Sequence, residues 1–95
     1  MAYFAVQYTY ANDTAALDRV RPQHRAFLSV LAAGPLVASG PYVGAERPSA
    51  LLLLKAESAA EVTEALDADP FWEAGLIAER RVEEWNPLIG IFAGS

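Results

Sequence analysis

The sequence predicts a small α+β domain in which strands and helices follow one another as βαββαβ. Tyr3 to Tyr10 alternates polar and apolar residues like a strand with one buried face, two later segments carry apolar residues at helical spacing, and three further segments have strand character. This order is typical of the ferredoxin-like arrangement, a four-stranded antiparallel sheet with two helices on one face. A chain of 95 residues has room for one such core, so residues 1–95 are expected to form a single domain.

The first strand and the first helix are predicted in the N-terminal third of the chain. Asn12-Asp13-Thr14 offers good N-cap residues, and apolar side chains then recur at helical spacing until Gly34. Pro22 lies inside this helix. Because proline cannot donate a backbone hydrogen bond and disfavours helical geometry at the residue before it, we expect an interruption there, with the helix restarting just before His24.

Two strands that form a hairpin are predicted in the middle of the chain. One runs from Leu36 to Val43 with a kink at Gly40-Pro41, and the other runs from Leu51 to Ala56 after a polar turn. Four consecutive leucines at 51–54 place apolar side chains on both faces of the second strand, so both faces of the sheet need a cover. The helices supply one cover, and a second subunit is expected to supply the other.

The last third of the chain predicts a helix, a helical turn and a strand. Ser58 and Glu61 match a capping box, which predicts a helix to about Ala68. Asp69-Pro70 then suits the N-cap and first position of a short turn that Gly75 closes. The final strand is expected from Leu76 to Trp85, before Asn86-Pro87.

Composition and charge narrow the classes of partner. The net charge of −5 and the scattered seven Lys and Arg argue against a nucleic-acid surface. The 54% share of hydrophobic residues is high for so small a domain and favours a homo-oligomer. The chain has no cysteine, one histidine, no tight acidic cluster and no glycine-rich phosphate loop, so we expect no metal site and no cofactor. The N-terminus does not resemble a secretion signal and no membrane segment is predicted, so a cytoplasmic location is expected.

The single histidine, His24, shares the predicted inward face of the first helix with Phe27, Leu28 and Leu31. At the start of a restarted helix, next to Arg21 and Arg25, its imidazole would be held neutral and ready to accept a proton. The alternative is a hydrogen-bonded core histidine without a chemical role.

Other candidate site residues follow from their chemistry and position. Arg21 could hold an anionic substrate by a bidentate contact, and Ser39, the backbone near Gly40 and the tyrosines of the first strand, Tyr8 among them, could supply polar groups. Each of these also fits a plain role in packing, in a turn or on a solvated face. Asp69 suits a helix cap, but one carboxylate oxygen could cap while the other faces a pocket.

Several segments, in order and spacing, resemble the YCII-related (YciI-like) family of the dimeric α+β barrel superfamily. They are FAVQYTY, RPQHRAFL, LVASGPYV, SAAEV, DADPFWEAGL and VEEWNPLIG. The resemblance covers nearly the whole chain and implies a homodimer whose sheets face each other. It also implies an acid–base dyad of a histidine and an aspartate, which we place on His24 and Asp69, with Asp67 as the other candidate.

The resemblance further implies a lyase or isomerase that takes a proton from carbon beside a carbonyl, as in the elimination of chloride from a chlorinated muconolactone. The substrate would be a small anionic or lactone-like molecule. A non-catalytic dimer that binds a small ligand or assists another enzyme remains the alternative, since a fold alone does not establish a reaction.

Overall fold

A computed structural model describes residues 1–94 and shows four strands and three helices in the chain order βαββααβ. The strands are β1 (Ala2–Tyr10), β2 (Leu36–Pro41), β3 (Ser49–Ala56) and β4 (Ile77–Trp85). The helices are α1 (Thr14–Leu31), α2 (Ala59–Leu66) and the short α3 (Pro70–Glu73). The predicted elements are all present, and most of their ends lie within a few residues of the predicted ones.

The strands form one sheet in the order β2-β3-β1-β4, and every neighbouring pair is antiparallel. This confirms the predicted ferredoxin-like arrangement. The order places β1 and β3 in the centre, so their alternate side chains form the middle of both faces of the sheet.

The helices cover one face of this sheet and enclose the main core. The fully buried members of that core come from the two central strands, from α2 and from α3: Phe4, Val6, Tyr8, Leu52, Leu54, Val62, Leu66 and Phe71. The period-2 pattern of β1 therefore predicted its buried side correctly.

The other face of the sheet has no helix over it within residues 1–94. Leu51 is 39% exposed and Trp85 43% exposed on this face. Phe92 from the C-terminal segment lies against Tyr3 and Trp85, with ring centroids 5.4 and 6.4 Å away. The result is an apolar hollow that both central strands line.

Two local predictions were wrong. The helix α1 runs without interruption through Pro22, so His24 lies in its interior and not at a new N-terminus. Packing of the apolar face against the sheet outweighs the one backbone hydrogen bond that proline removes. The irregularity of β2 lies between Leu36 and Ala38 instead of at Gly40-Pro41. Because β2 is an edge strand, Pro41 can end it without disturbing the ladder.

No helix in residues 1–94 is both long and apolar enough to cross a membrane.

Candidate active site

His24 and Asp69 form a buried pair where α1 passes the start of α3. The Nδ1 atom of His24 lies 2.8 Å from Oδ1 and 3.1 Å from Oδ2 of Asp69. His24 is 8% exposed and Asp69 is fully buried. A carboxylate can only accept here, so Nδ1 carries the proton and the lone pair of neutral His24 is on Nε2.

Asp69 is held in place by its role as the N-cap of α3. Its Oδ1 accepts the backbone N–H of Phe71 at 2.9 Å, and Pro70 occupies the first helical position. The cap fixes the carboxylate before any ligand arrives, because the backbone of α3 and the side chain of His24 share the same oxygen. Asp67, the other candidate, lies away from His24 and accepts from Arg80 at 2.9 Å.

Tyr8 lies behind the pair. Its hydroxyl donates to Oδ2 of Asp69 at 3.2 Å, and its side chain is fully buried. This position differs from the expected contact with substrate, since Tyr8 does not line the cavity beside His24. Burial, followed by the charge of Asp69 and the hydrogen bond to it, raises the pKa of Tyr8 far above its usual value, so the phenol remains a donor.

The ring of His24 rests on Phe71. The two ring centroids are 4.1 Å apart and the planes are 18° from parallel. Phe71 follows the capping Asp69 by two residues, so one short helix supplies both the hydrogen-bond partner and the flat support of the imidazole. Phe71 was not among the predicted site residues, because an aromatic residue in such a turn is typical of an ordinary core.

A cavity of about 380 Å³ opens beside His24. The predicted residues Arg21, Ser39 and Gly40 all line it. Nε2 of His24 has no hydrogen-bond partner within residues 1–94. It is not fully enclosed, because the only fully enclosed side-chain nitrogen or oxygen without a partner in that range is Nη1 of Arg80. Since His24 lines the cavity, its Nε2 reaches open space there. The volume suits a small organic molecule.

The two arginines of the cavity differ in their pairing. Arg21 forms an ion pair with Asp18 on the same helix. Arg25 also lines the cavity, and within residues 1–94 no carboxylate forms a salt bridge with it. Arg25 was not among the predicted ligand-binding residues, although its place one residue after His24 could have suggested it.

Tyr10, Tyr42 and Ser49 add hydroxyl groups to the lining of the cavity. Burial and the charge of Asp69 raise the pKa of Tyr10 to about 12, and Arg21 opposes this rise. Tyr10 is therefore a neutral hydroxyl at physiological pH. The cavity thus combines cations, neutral hydroxyl groups and one imidazole nitrogen that can accept a proton.

Comparison with known proteins gives a family and a structural neighbour. Residues 1–86 match the YCII-related domain. The solved structure of TftG, the 5-chloro-2-hydroxyhydroquinone dehydrochlorinase of Burkholderia phenoliruptrix AC1100 in complex with 2,5-dihydroxybenzoquinone, is similar. The two chains are 28% identical with a TM-score of 0.77, and the match covers 88% of this chain and 93% of the other. No functionally curated protein matches the sequence.

Proposed function

Because this chain belongs to the YCII-related domain family, we propose that it is a cofactor-independent acid–base enzyme of the lyase or isomerase type. Its substrate is a small anionic or lactone-like metabolite with a proton on carbon beside a carbonyl group. The observation that carries the proposal is the buried contact of 2.8 Å between His24 and Asp69 at the side of a cavity. The similar fold of TftG, a dehydrochlorinase with a small ligand bound, supports it.

In the proposed reaction His24 is the general base. Its Nε2 takes the proton of the substrate, while Asp69 holds the Nδ1–H bond and stabilises the imidazolium that forms. Proton transfer by a positioned side chain contributes about 10² to 10⁴ in rate. Phe71 keeps the ring in the plane that this transfer needs.

The substrate oxygen that gains charge needs donors near it. Arg21 and Arg25 supply positive charge on the helix side of the cavity, and Ser39 and the backbone at Gly40 supply polar groups on the strand side. Arg25 is the better placed of the two cations because Arg21 already pairs with Asp18.

For a chlorinated substrate the same groups perform an elimination. Nε2 takes the proton, the electron pair of the broken C–H bond forms a new C=C bond, and chloride leaves with the electron pair of the C–Cl bond. For a substrate without a leaving group, return of the proton to another carbon gives an isomerisation. Both begin with the same proton abstraction at the same atom.

The test separates catalysis from mere binding. Small carbonyl compounds, with chlorinated muconolactone and 5-chloro-2-hydroxyhydroquinone among them, are incubated with the protein in D₂O, and deuterium uptake and chloride release are measured. We expect His24→Gln to abolish turnover and to keep ligand binding, measured by calorimetry with 2,5-dihydroxybenzoquinone. Binding without turnover of any compound by the wild type would favour the non-catalytic module instead.

We also propose that two copies of the chain pair through the uncovered face of the sheet, as the family resemblance implies. Leu51 and Trp85, which are partly exposed on that face, would then be buried against their counterparts. Such pairing would explain why 54% of the residues are hydrophobic in a domain that has one small core.

A further inference from the structure

We propose that Tyr8 is a positioning residue of this site, because its hydroxyl donates to Asp69 and thereby limits how strongly the carboxylate stabilises protonated His24. The inference rests on the proposed function, in which His24 gains and loses a proton. It assigns to Tyr8 a role in setting the pH at which the pair works and no contact with the substrate.

The contacts of Asp69 show why Tyr8 and His24 act on each other. Oδ2 accepts a hydrogen bond from the Tyr8 hydroxyl at 3.2 Å and also lies 3.1 Å from Nδ1 of His24. Oδ1 accepts hydrogen bonds from Nδ1 of His24 and from the backbone N–H of Phe71. Every donor bound to a carboxylate spreads its negative charge, so each weakens the attraction that the carboxylate offers to the others.

Tyr8 remains a protonated donor near neutral pH. It is fully buried, and burial together with the neighbouring carboxylate raises its pKa far above the usual value. The phenol therefore cannot become a competing anion near neutral pH. Its only available hydrogen-bonding role towards Asp69 is donation.

A half-buried arginine lies beside Tyr8. Arg80 is the partner of Tyr8 across β1 and β4, and its guanidinium lies 3.6 Å from the centroid of the Trp72 ring and binds Asp67. Its positive charge partly opposes the rise in the pKa of Tyr8.

Removal of the Tyr8 hydroxyl leaves the other charged and titratable groups of the site in place, so a change in titration can be assigned to that hydroxyl. These groups are Arg21 and Arg25 on α1, Tyr10 on β1, Tyr42 after β2, Asp67 after α2, Asp69 before α3, and Arg80 on β4.

The direction of the effect follows. In Tyr8→Phe the carboxylate loses one donor, so its charge concentrates on the two that remain, and Nδ1 of His24 is one of them. Protonated His24 is then better stabilised, and the imidazole is expected to titrate at higher pH. In the enzyme, the acidic limb of the activity profile moves the same way, because fewer molecules have a free base at a given pH.

The test uses the fact that this chain has one histidine, so ¹⁵N and ¹H signals of an imidazole need no assignment. The titration of His24 is recorded by NMR in the ligand-free wild type and in three variants. They are Tyr8→Phe, the matched control Tyr3→Phe on the opposite face of β1, and Asp69→Asn. We expect an upward shift of the midpoint of about 0.5 pH unit in Tyr8→Phe, a modest share of what a charged hydrogen bond can contribute. No shift is expected in Tyr3→Phe.

A second arm strengthens the bond instead of removing it. Incorporation of 3,5-difluorotyrosine at position 8 makes the phenol more acidic with little change of shape, so the midpoint should move to lower pH. This arm also tests the role of Tyr8 if the Tyr8→Phe protein does not fold.

The outcomes separate this inference from the proposed function. An unchanged or lower midpoint in Tyr8→Phe, or an equal shift in Tyr3→Phe, overturns the role of Tyr8. Asp69→Asn should lower the midpoint. If it does, the pair itself stands whatever Tyr8 does; if it does not, Asp69 does not stabilise the imidazolium, and the role of Tyr8 is overturned together with the dyad.

Discussion

The imidazole of His24 lies flat on the ring of Phe71, with centroids 4.1 Å apart and planes 18° from parallel. This contact complements the hydrogen bond to Asp69, which holds the ring at one edge only. The bond at Nδ1 sets the direction of Nε2, and the stack prevents rotation of the ring out of its plane. Both restraints come from α3 and its cap, so one short helix controls the geometry of the proposed base.

Loss of the flat support should lower activity more than stability. We expect Phe71→Leu to reduce turnover about tenfold or more, since a misplaced base loses much of its advantage, and to cost about 1–3 kcal/mol of unfolding free energy as a buried large-to-smaller change. Phe4→Leu is the matched control, because Phe4 is equally buried in the same core and lies outside the site. Urea unfolding and steady-state kinetics check both variants. Equal loss of activity in the two would contradict a special role for Phe71.

Asp69 combines a structural cap with the proposed catalytic partner, and two substitutions separate these roles. Asp69→Asn keeps an oxygen that can accept the Phe71 N–H group, but it has no charge to stabilise an imidazolium. We expect it to lose about 10² to 10⁴ in turnover and to unfold less readily than Asp69→Ala.

Asp69→Ala removes the acceptor of three buried donors: Tyr8 hydroxyl, His24 Nδ1 and Phe71 N–H. Each unsatisfied buried donor costs about 1–3 kcal/mol, so the domain should lose about 3 kcal/mol or more and approach the limit of its stability. Thermal unfolding followed by circular dichroism measures both variants. A fully stable Asp69→Ala protein would mean that water replaces the carboxylate at little cost.

The raised pKa of Tyr8 predicts how stability depends on alkaline pH. The unfolded chain loses the phenol proton near the usual value of 10.0, whereas the folded chain keeps it. Above that pH the native state binds more protons than the unfolded state. The contribution of Tyr8 to the unfolding free energy is therefore complete below pH 10 and decreases as the pH rises. The expected slope for Tyr8 is about 1.4 kcal/mol per pH unit.

The comparison of the wild type with Tyr8→Phe isolates that contribution. At pH 8 the wild type should be more stable, because the variant lacks the hydrogen bond to a buried carboxylate. Between pH 10 and 11.5 the difference in unfolding free energy should shrink. A difference that stays constant over this range would show that Tyr8 ionises at the same pH in both states.

The sequence predicted the fold better than the site, for a physical reason. The alternation in β1 and the cap before Pro70 are local patterns, and both appear as expected. Continuity of α1 through Pro22 depends instead on packing against the sheet, which no local pattern reports. The prediction that His24 lies in the first turn of a restarted helix failed with it, because this residue is in the interior of α1.

The distinction between Asp67 and Asp69 was also beyond the sequence. The two residues lie two positions apart in one short connection, and only the end of α2 at Leu66 decides which faces α1. The structure places Asp69 against His24 and Asp67 against Arg80. Tyr8 lies 61 residues from Asp69 along the chain, so their bond could not have been predicted from spacing.

The proposed pairing of sheets can be tested with one charge on the uncovered face. Leu51 is 39% exposed in the single chain and lies in the middle of the face, on β3. In a face-to-face dimer Leu51→Glu would bury a carboxylate, and two-fold symmetry would bury it twice, which costs far more than removal of the two leucine side chains alone. We expect the wild type to have twice the chain mass of 10.2 kDa by light scattering and the variant to have the mass of one chain.

Val30→Glu, at a position 77% exposed on α1, is the matched control and should remain a dimer. A wild type that stays monomeric at high micromolar concentration would contradict the pairing, and the uncovered apolar face would then need another partner.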